Sequence, residues 1–317
     1  MAQESYSNLL VFGASGTVGG LVALAAHERG AKIWLAMRDT SKAIKAIPND
    51  VEKAGNFVRI QADLTDPTSV ANAVAHSGAK AAFIYLVLAA SDHQRASLKA
   101  LRDGGVENIV FLSSLGVKVE GAALRAIPPS KLMWFRNAQV EIAIEDLAFP
   151  HFTALRPASF ASNYINAGLD RSSTPPKATI IFEDAQADNI APEDIAGVGA
   201  VVLLTPPTAG KTTLYLSNTA AETRTAKDSW ALIKQITGRA DIDTTPTSPE
   251  AWVQKVVAQG MPEAFPRFYL GVLDDSKRGL VGPEYEAGAA NIRKYLGREP
   301  MGFVEYLEKH KVEWQNI

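Results

Sequence analysis

Three glycines near the N-terminus have the spacing of a loop that binds phosphate. They lie in Gly13-Ala14-Ser15-Gly16-Thr17-Val18-Gly19, between the strand-like run Leu9–Phe12 and the helical pattern LVALAAHERG. In a strand–loop–helix unit, the first glycine permits a tight turn and the second lets backbone approach a pyrophosphate. The third lets the helix pack closely on the strand, and the helix N-terminus offers free N–H groups to the phosphates. The spacing is Gly-x-x-Gly-x-x-Gly, and its place at the first strand–helix junction predicts a dinucleotide site.

The residue after the second strand decides which dinucleotide fits. The apolar run Lys32–Met37 is followed by Arg38 and Asp39. An arginine at this place suits the 2′-phosphate of NADP(H), because a guanidinium can bind a phosphate through two hydrogen bonds. A carboxylate there suits the ribose hydroxyls of NAD. Arg38 favours NADP(H), while Asp39 leaves NAD open.

Two further segments fall where an extended dinucleotide would pass. Asp63 and Leu64 follow the third strand and could flank the adenine, or they could form a local turn capped by the aspartate. The run from Tyr85 to Leu88 follows the fourth strand, and Val87 is its candidate for the nicotinamide side. Because this run is uniformly apolar, most of it is expected in the core.

The elements that must position these residues alternate in type along the first half of the chain. β-rich apolar runs alternate with helical patterns, which predicts an α/β doubly wound fold with a parallel sheet covered by helices on both faces. Predicted strands are Leu9–Phe12, Lys32–Met37, Phe57–Gln61, Ala81–Val87, Asn108–Leu112 and Phe152–Leu155. Predicted helices cover residues 17–29, 41–47, 67–76, 91–103 and 131–147.

The second half has a looser rhythm that is richer in proline and glycine. It contains helical patterns at 192–204, 225–237, 249–259 and 285–296, and one strand at Leu214–Leu216. We therefore predict a nucleotide-binding domain over residues 1–157 and a smaller substrate-binding lobe over 158–317, partly interleaved with the sheet. The segment PPTAGKTT resembles a phosphate loop but lacks its leading glycine, so it is interpreted as a turn before Leu214.

Composition narrows the partners and the location. The formal net charge is −2 without blocks of like charge, so neither nucleic acid nor an anionic membrane is an expected partner. The absence of cysteine excludes disulfides and thiolate catalysis, and the scattered histidines predict no metal site. The segment MAQESYSN has no signal-peptide pattern and the longest apolar run is too short for a bilayer. We expect a cytosolic protein whose partner is a small-molecule substrate.

Several motifs together resemble the NmrA-like group of atypical short-chain dehydrogenases over nearly the whole chain. The resemblance rests on VFGASGTVGG, WLAMRDT, QADLTD, NIVFLSSLGV, VEIAIEDL, FTALRPASFASNY and IAPEDIAGVGAVVL. It implies a Rossmann fold that binds NADP(H). It also implies either NADPH-dependent reduction of quinones, carbonyls or alkenes, or regulation by dinucleotide binding without turnover. From the resemblance, the pyrophosphate would be held by Gly13, Ser15, Gly16, Thr17, Val18 and Gly19. The resemblance assigns the 2′-phosphate to Arg38, the adenine to Asp63 and Leu64, and the nicotinamide to Pro157 and Phe160.

The helix predicted over 131–147 departs from that family pattern. Reducing members often carry Lys or His four residues before the glutamate of this helix, and counting back from Glu141 gives Asn137. An asparagine can hydrogen-bond a hydroxyl or a carbonyl but cannot donate a proton at neutral pH. Hydride transfer to a carbonyl still needs a proton from a side chain or water. The remaining candidates for a catalytic role are Ser113, Ser114, Lys131 and Tyr164.

Three functions follow from these observations. The leading prediction is an NADPH-dependent reductase of a carbonyl, quinone or activated alkene, with Ser113, Ser114 or Asn137 holding the substrate and water or Tyr164 supplying the proton. The alternative is a redox-sensing regulator that binds NADP(H) and a protein partner without chemistry. An isomerase or dehydratase on the same scaffold is a third possibility.

Overall fold

The computed structural model describes residues 4–317, so the first three residues of the predicted N-terminal domain, and of the segment MAQESYSN, lie outside the described residues. Its centre is a seven-stranded parallel sheet in the order β10-β6-β5-β4-β1-β2-β3. The strands are β1 (Asn8–Phe12), β2 (Lys32–Met37), β3 (Phe57–Gln61), β4 (Ala81–Tyr85), β5 (Asn108–Leu112), β6 (His151–Pro157), β7 (Leu169–Asp170), β8 (Lys177–Ala178), β9 (Gln186–Ala187), β10 (Gly210–Leu216) and β11 (Arg224–Thr225).

Helices cover both faces of this sheet and build the lobe. They are α1 (Thr17–His27), α2 (Asn49–Ala54), α3 (Pro67–Ser77), α4 (Arg95–Asp103), α5 (Gly121–Arg125), α6 (Leu132–Asp146), α7 (Asn163–Asn166), α8 (Pro192–Leu204), α9 (Ala226–Thr237), α10 (Pro249–Ala258), α11 (Ala264–Ser276), α12 (Pro283–Leu296), α13 (Phe303–Lys309) and α14 (Lys311–Gln315). A short 3₁₀ helix spans Ala220–Glu222. The predicted doubly wound α/β fold is confirmed.

Two apolar layers enclose the sheet because its central strands are buried on both faces. One layer joins the sheet to α1, α8 and α12, and includes Val22, Val198 and Ile292. The opposite layer joins it to α3, α4 and α6, and includes Leu98 and Val140. β1 pairs with β2 on one side and with β4 on the other, so the order of the strands reverses at β1. Ligands bind in such sheets at the carboxyl edge beside this switch point.

The second half of the chain contributes both to the sheet and to a separate apolar core. β10 pairs in parallel with β6, and α8 packs on α1, so these elements belong to the sheet layers. The lobe has its own core, in which Trp230, Phe303 and Trp314 are almost fully buried. The boundary predicted at residue 157 stays a prediction, since strands from both sides of it share one sheet.

Most elements predicted in the first half of the chain are present, and one predicted helix is wrong. α3 begins as predicted after Asp66, whose side chain accepts a hydrogen bond from the Thr68 N–H at 3.0 Å. The helix predicted over 41–47 is wrong: the helix between β2 and β3 is α2, at Asn49–Ala54. Asp39 accepts hydrogen bonds from the N–H and hydroxyl of Ser41, which forms a turn there, and Pro48 precedes the helix.

Two predicted strand ends also shift. β4 ends at Tyr85 rather than at residue 87, and β10 begins at Gly210, inside the segment that was interpreted as a turn. Separately, none of the helices within residues 4–317 combines the length and the apolar content that a membrane crossing needs.

Candidate functional site

The glycine loop brings its backbone close to the start of α1. Gly13 has φ +73°, a left-handed value that favours glycine, and its carbonyl accepts a hydrogen bond from the Gly16 N–H at 2.8 Å. A Cβ on Gly19 would stand 2.3 Å from that same carbonyl oxygen, so α1 can approach the loop only with glycine there. No side chain caps α1, and the N–H groups of its first turn lack partners inside the helix. The loop is therefore suited to an anion.

A cavity of about 370 Å³ lies over this loop. Its volume falls in the range of small-molecule sites, roughly 300–1,000 Å³. One wall is the glycine loop, including Ser15 and Val18, and the other is the segment after β6. Asn166 on α7 reaches across to Thr17, with 3.4 Å between the amide nitrogen and the hydroxyl oxygen. The residues that line this cavity are Phe12, Gly13, Ser15, Gly16, Thr17, Val18, Gly19, Phe83, Tyr85, Leu112, Phe160, Ser162, Asn163 and Asn166.

A smaller cavity of about 60 Å³ continues from the loop toward β2. Arg38, Asp39 and Lys42 line it on one side, and Leu64 and Tyr85 line it on the other. Arg38 is exposed, and within residues 4–317 it forms no ion pair with a carboxylate. This end of the site is cationic and is continuous with the glycine loop through Gly13.

Asp39, next to Arg38, is engaged in a turn through one of its carboxylate oxygens. Its carboxylate accepts hydrogen bonds from Ser41, from the N–H at 2.9 Å and from the hydroxyl at 2.6 Å, and these bonds hold the pKa of Asp39 below its usual value. Lys42 was missed in the sequence because it follows the turn rather than the strand. Arg59 keeps that turn in place by donating to the Lys42 carbonyl at 2.9 Å.

The two residues assigned to the adenine divide between the cavity and a turn. Leu64 is buried and lines the smaller cavity. Asp63 accepts hydrogen bonds from the Thr65 N–H at 2.8 Å and hydroxyl at 2.9 Å, and its own N–H donates to Ser69. The Asp63 side chain thus forms the local turn that the sequence left open as an alternative, and its role toward adenine stays a prediction.

The loop after β4 is held by a glutamine that the sequence did not single out. Gln94 is buried at φ +65°, its side-chain carbonyl accepts from the Val87 N–H at 2.8 Å, and its amide donates to the Tyr85 carbonyl at 3.1 Å. Val87 lines neither cavity. Pro157 is buried at the end of β6, where its carbonyl accepts from the Leu115 N–H at 2.9 Å. Of this group only Tyr85 faces the cavities.

The hydroxyls of the two candidate catalytic serines are hydrogen-bonded to groups outside the lining of both cavities. Ser113 is buried, and its hydroxyl donates to Glu141 of α6 at 2.6 Å. The Ser114 hydroxyl accepts from the Gly116 N–H at 3.2 Å, within its own turn. Neither serine lines a cavity, so a role in holding substrate stays a prediction for both.

Glu141 is the centre of a buried charge network rather than a free carboxylate. Arg156 donates to it through Nε at 3.0 Å and Nη2 at 2.7 Å, and Lys211 lies 3.0 Å away. Burial opposes ionisation of Glu141, but the guanidinium, the ammonium and the Ser113 hydroxyl hold its pKa below the usual value. Glu120 and Glu145 complete the network at 2.7 and 2.6 Å from the Lys211 ammonium. Through Arg156 and Lys211, Glu141 therefore connects α6 to β6 and β10.

No residue of α6 lines either of the two cavities described above. Asn137 is buried, and its amide donates to the Met133 carbonyl one turn earlier, at 2.8 Å. Lys131 is exposed at the start of α6, with its ammonium 5.0 Å from the centre of the Trp134 ring. Each of these contacts satisfies the side chain locally, and a catalytic role for either residue stays a prediction.

Tyr164 lies within the apolar core of the lobe. Its ring centre is 5.4 Å from Trp230 and 5.5 Å from Phe303, and burial raises the pKa of its hydroxyl above the usual value. Its neighbours Ser162 and Asn163 line the larger cavity, but Tyr164 does not. Its contacts are therefore those of a packing residue, and its use as a proton source stays a prediction.

One further polar corner lies at the carboxyl edge of β4. His93 has φ +55° and packs edge-on against Phe135 with 5.7 Å between ring centres. Burial and the nearby Arg136 guanidinium lower the pKa of His93. Within residues 4–317 Arg136 forms no ion pair with a carboxylate, and its hydrogen bond to the Leu88 carbonyl is long, at 3.5 Å.

Comparison with known proteins agrees with this geometry. The model of the NmrA-like family matches residues 5–263. The nitrogen metabolite regulation-like protein bik4 of Gibberella fujikuroi is 35% identical over 324 residues, covering 98% of both chains. Among solved structures, triphenylmethane reductase of Citrobacter sp. has a TM-score of 0.69 at 20% identity, covering 96% of this chain and 99% of that one. The NADPH-dependent quinone oxidoreductase of Escherichia coli, solved with NADPH, has a TM-score of 0.68 at 16% identity, covering 95% and 99%. At these identities the two solved structures establish the fold alone.

Proposed function

Because the chain belongs to the NmrA-like family, we propose that it binds NADP(H) in extended form along the carboxyl edge of the sheet and acts as an NADPH-dependent reductase. One observation carries the cofactor assignment: a single glycine loop joins a cavity suited to a pyrophosphate to a cationic end at Arg38. The sequence relative is named as a regulator, whereas the two solved structures are reductases, one of them containing NADPH.

The preference for NADP(H) over NAD(H) rests on the different states of Arg38 and Asp39. Arg38 is exposed, without a carboxylate partner in the described chain, while the Asp39 carboxylate is already bonded to Ser41. A 2′-phosphate supplies the anion that Arg38 lacks, and Lys42 adds a second cation at the same cavity. Both Ser41 bonds use one oxygen of the Asp39 carboxylate, Oδ1, so the two cations at this cavity carry the preference for a phosphate.

The chemistry that suits this edge needs little help from a protein acid. NADPH supplies a hydride when bound. The hydroxyl proton of Ser113 is directed to Glu141, and the Asn137 amide is directed to the Met133 carbonyl. A quinone that accepts a hydride becomes a hydroquinone monoanion, whose charge the ring delocalises and which then takes a proton from water. A simple ketone would become an alkoxide without such delocalisation. Among carbonyls, quinones and activated alkenes, the quinone is therefore the substrate class we favour.

The cofactor assignment is tested by titrating NADPH and NADH into the wild type and into Arg38→Ala. Loss of charge-assisted hydrogen bonds worth about 1.5–3 kcal/mol should weaken NADPH binding by roughly 10–150-fold. NADH binding should stay within about twofold. Lys45→Ala is the matched control, because Lys45 is exposed near the same turn but lines neither cavity. Equal losses for both cofactors would refute the 2′-phosphate role.

A second candidate function has specific support. A relative that covers nearly the whole chain is named as a nitrogen metabolite regulation-like protein, and the predicted catalytic residues are bonded elsewhere. In this alternative the chain binds NADP(H) and a protein partner without turnover. Following the absorbance of reduced nicotinamide with a panel of quinones, enones and ketones separates the two functions. Tight NADPH binding without oxidation by any acceptor would support the regulator and refute the reductase.

A further inference from the structure

We propose that the Tyr85 ring fills the adenosine end of the cofactor site and must swing aside before NADP(H) can bind. The proposal rests on the cofactor site proposed above. Tyr85 is the last residue of β4, and its side chain lines both the larger and the smaller cavity. An extended dinucleotide has to run from the glycine loop to Arg38, past the position that this ring holds.

The ring lies directly on the part of the loop that the cofactor needs. A Cβ placed on Gly13 would stand 2.7 Å from Cε1 and 2.8 Å from Cδ1 of Tyr85, so the phenol packs on the bare α-carbon of that glycine. The adenosine end keeps only about 60 Å³, whereas the pyrophosphate end keeps about 370 Å³. By the same measure the adenosine end is thus the narrower of the two, and Tyr85 lines both.

Tyr85 shares the smaller cavity with Arg38 and Asp39. Burial raises the pKa of Tyr85, while the charge of Arg38 lowers it and that of Asp63 raises it again. Arg38 and Asp63 therefore both act electrostatically on the phenol. These are the two side chains, one cationic and one anionic, that sequence reasoning assigned to the 2′-phosphate and the adenine. The ring stands where those groups of the cofactor would lie.

The side chain is free to move while its backbone is not. Within residues 4–317 the Tyr85 hydroxyl forms no hydrogen bond, so packing alone holds the ring over Gly13. The backbone is fixed on both sides, by pairing with Leu112 in β5 and by the Gln94 amide on its carbonyl. A change of side-chain rotamer therefore opens the site without disturbing β4. The apparent dissociation constant of a ligand is then the intrinsic one divided by the open fraction.

Truncation of the ring should raise affinity for ligands that contain the adenosine half. If the open state is about 1–10% populated, Tyr85→Ala should bind adenosine 2′,5′-bisphosphate and NADPH roughly 10–100-fold more tightly, through faster association. Tyr85→Phe should stay close to the wild type, because the ring and not the hydroxyl fills the space. Tyr85→Leu removes part of the ring volume and keeps an apolar side chain, so its affinity should lie between those of Tyr85→Phe and Tyr85→Ala.

The control ligand is reduced nicotinamide mononucleotide, which has no adenosine half, so truncation of the ring should change its affinity much less than that of adenosine 2′,5′-bisphosphate. Stopped-flow association and equilibrium titration of folded protein, verified by its unfolding transition, give the rates and affinities. Weaker binding of the bisphosphate to Tyr85→Ala and Tyr85→Leu would show that the ring stacks on adenine, which overturns the proposal. Unchanged binding also overturns it and leaves the cofactor site intact. Failure of the wild type and all variants to bind NADPH would overturn the proposed cofactor site itself.

Discussion

Removal of the charge from the buried Glu141 carboxylate should destabilise the protein, and the contacts of this carboxylate set the size of the loss. Glu141→Gln keeps the shape of the side chain and removes its charge. The wild-type carboxylate is fully buried and accepts hydrogen bonds from Ser113 and from two nitrogens of Arg156, with Lys211 at 3.0 Å. The glutamine amide would direct N–H groups at one of these donors. Arg156, which is also fully buried, would lose its bidentate anion.

The expected loss is large because one partner of a buried ion pair is left behind. Removal of a single partner costs about 3–5 kcal/mol. Glu120 stays near Arg156 at 2.7 Å but is half-exposed, so it offsets part of the loss and places the expectation at the lower end. With about 2.1 cal/mol/K of unfolding entropy per residue, a loss of about 3 kcal/mol lowers Tm by roughly 4–5 °C for a chain of this length.

Glu145→Gln is the matched control for this experiment. Glu145 contacts the same Lys211 ammonium, at 2.6 Å, but it is partly exposed, so its removal should cost less than about 1 kcal/mol. Urea unfolding at neutral pH measures both variants. Equal losses in the two variants would refute the claim that burial of Glu141 sets the energy.

The same experiment has a pH arm with a defined sign. The pKa of Glu141 lies below its usual value, so its contribution is present above the unfolded pKa and disappears as the pH falls through the folded one. The wild type and Glu141→Gln should therefore converge in stability in acid. A constant difference between them down to low pH would contradict the ionised state of Glu141.

Three further predictions concern positions where the described contacts set the outcome. Gly19→Ala should abolish NADPH binding and lower Tm, since the added Cβ would stand 2.3 Å from the Gly13 carbonyl oxygen. In Gly271→Ala the added Cβ would meet no atom within 4 Å, so this control should instead stabilise the protein by roughly 0.5–1 kcal/mol. Gln94→Ala should cost about 2–4 kcal/mol in urea unfolding, because two backbone groups of the loop after β4 lose their buried partner. Burial raises the pKa of Asp188 to about 7, so the folded state favours its neutral form. The unfolding free energy should therefore fall as the pH rises from about 4 to 7, by up to about 4 kcal/mol relative to Asp188→Asn. A difference between the two proteins that stays constant over this pH range would contradict the raised pKa.

Periodicity and glycine spacing were sufficient for the fold and for the backbone geometry of the glycine loop. Strands buried on both faces are continuous apolar runs, and this pattern is visible in the sequence for β1, β2 and β5. A close approach of backbone needs glycine whatever the rest of the fold does, so Gly13 and Gly19 could be assigned before any coordinates. The helix predicted over 41–47 failed because its apolar residues Ile44 and Ile47 anchor a loop to the core, which periodicity cannot distinguish from a helix face.

The chemistry of the edge could not be predicted in this way, because it depends on which partner each polar group finds. Ser113 and Asn137 have the residue types and the places of catalytic groups, yet Glu141 and the Met133 carbonyl take their hydrogen bonds. The sheet brings the end of β4 beside the glycine loop, so Tyr85 packs on Gly13 although 72 positions separate them in the chain (85 − 13). The sequence by itself determined the sheet, the glycine loop and the cation that follows β2, since these depend on local pattern. Only the tertiary structure decided which side chains are free to meet a ligand, since hydrogen-bond partners distant in sequence compete for the same groups.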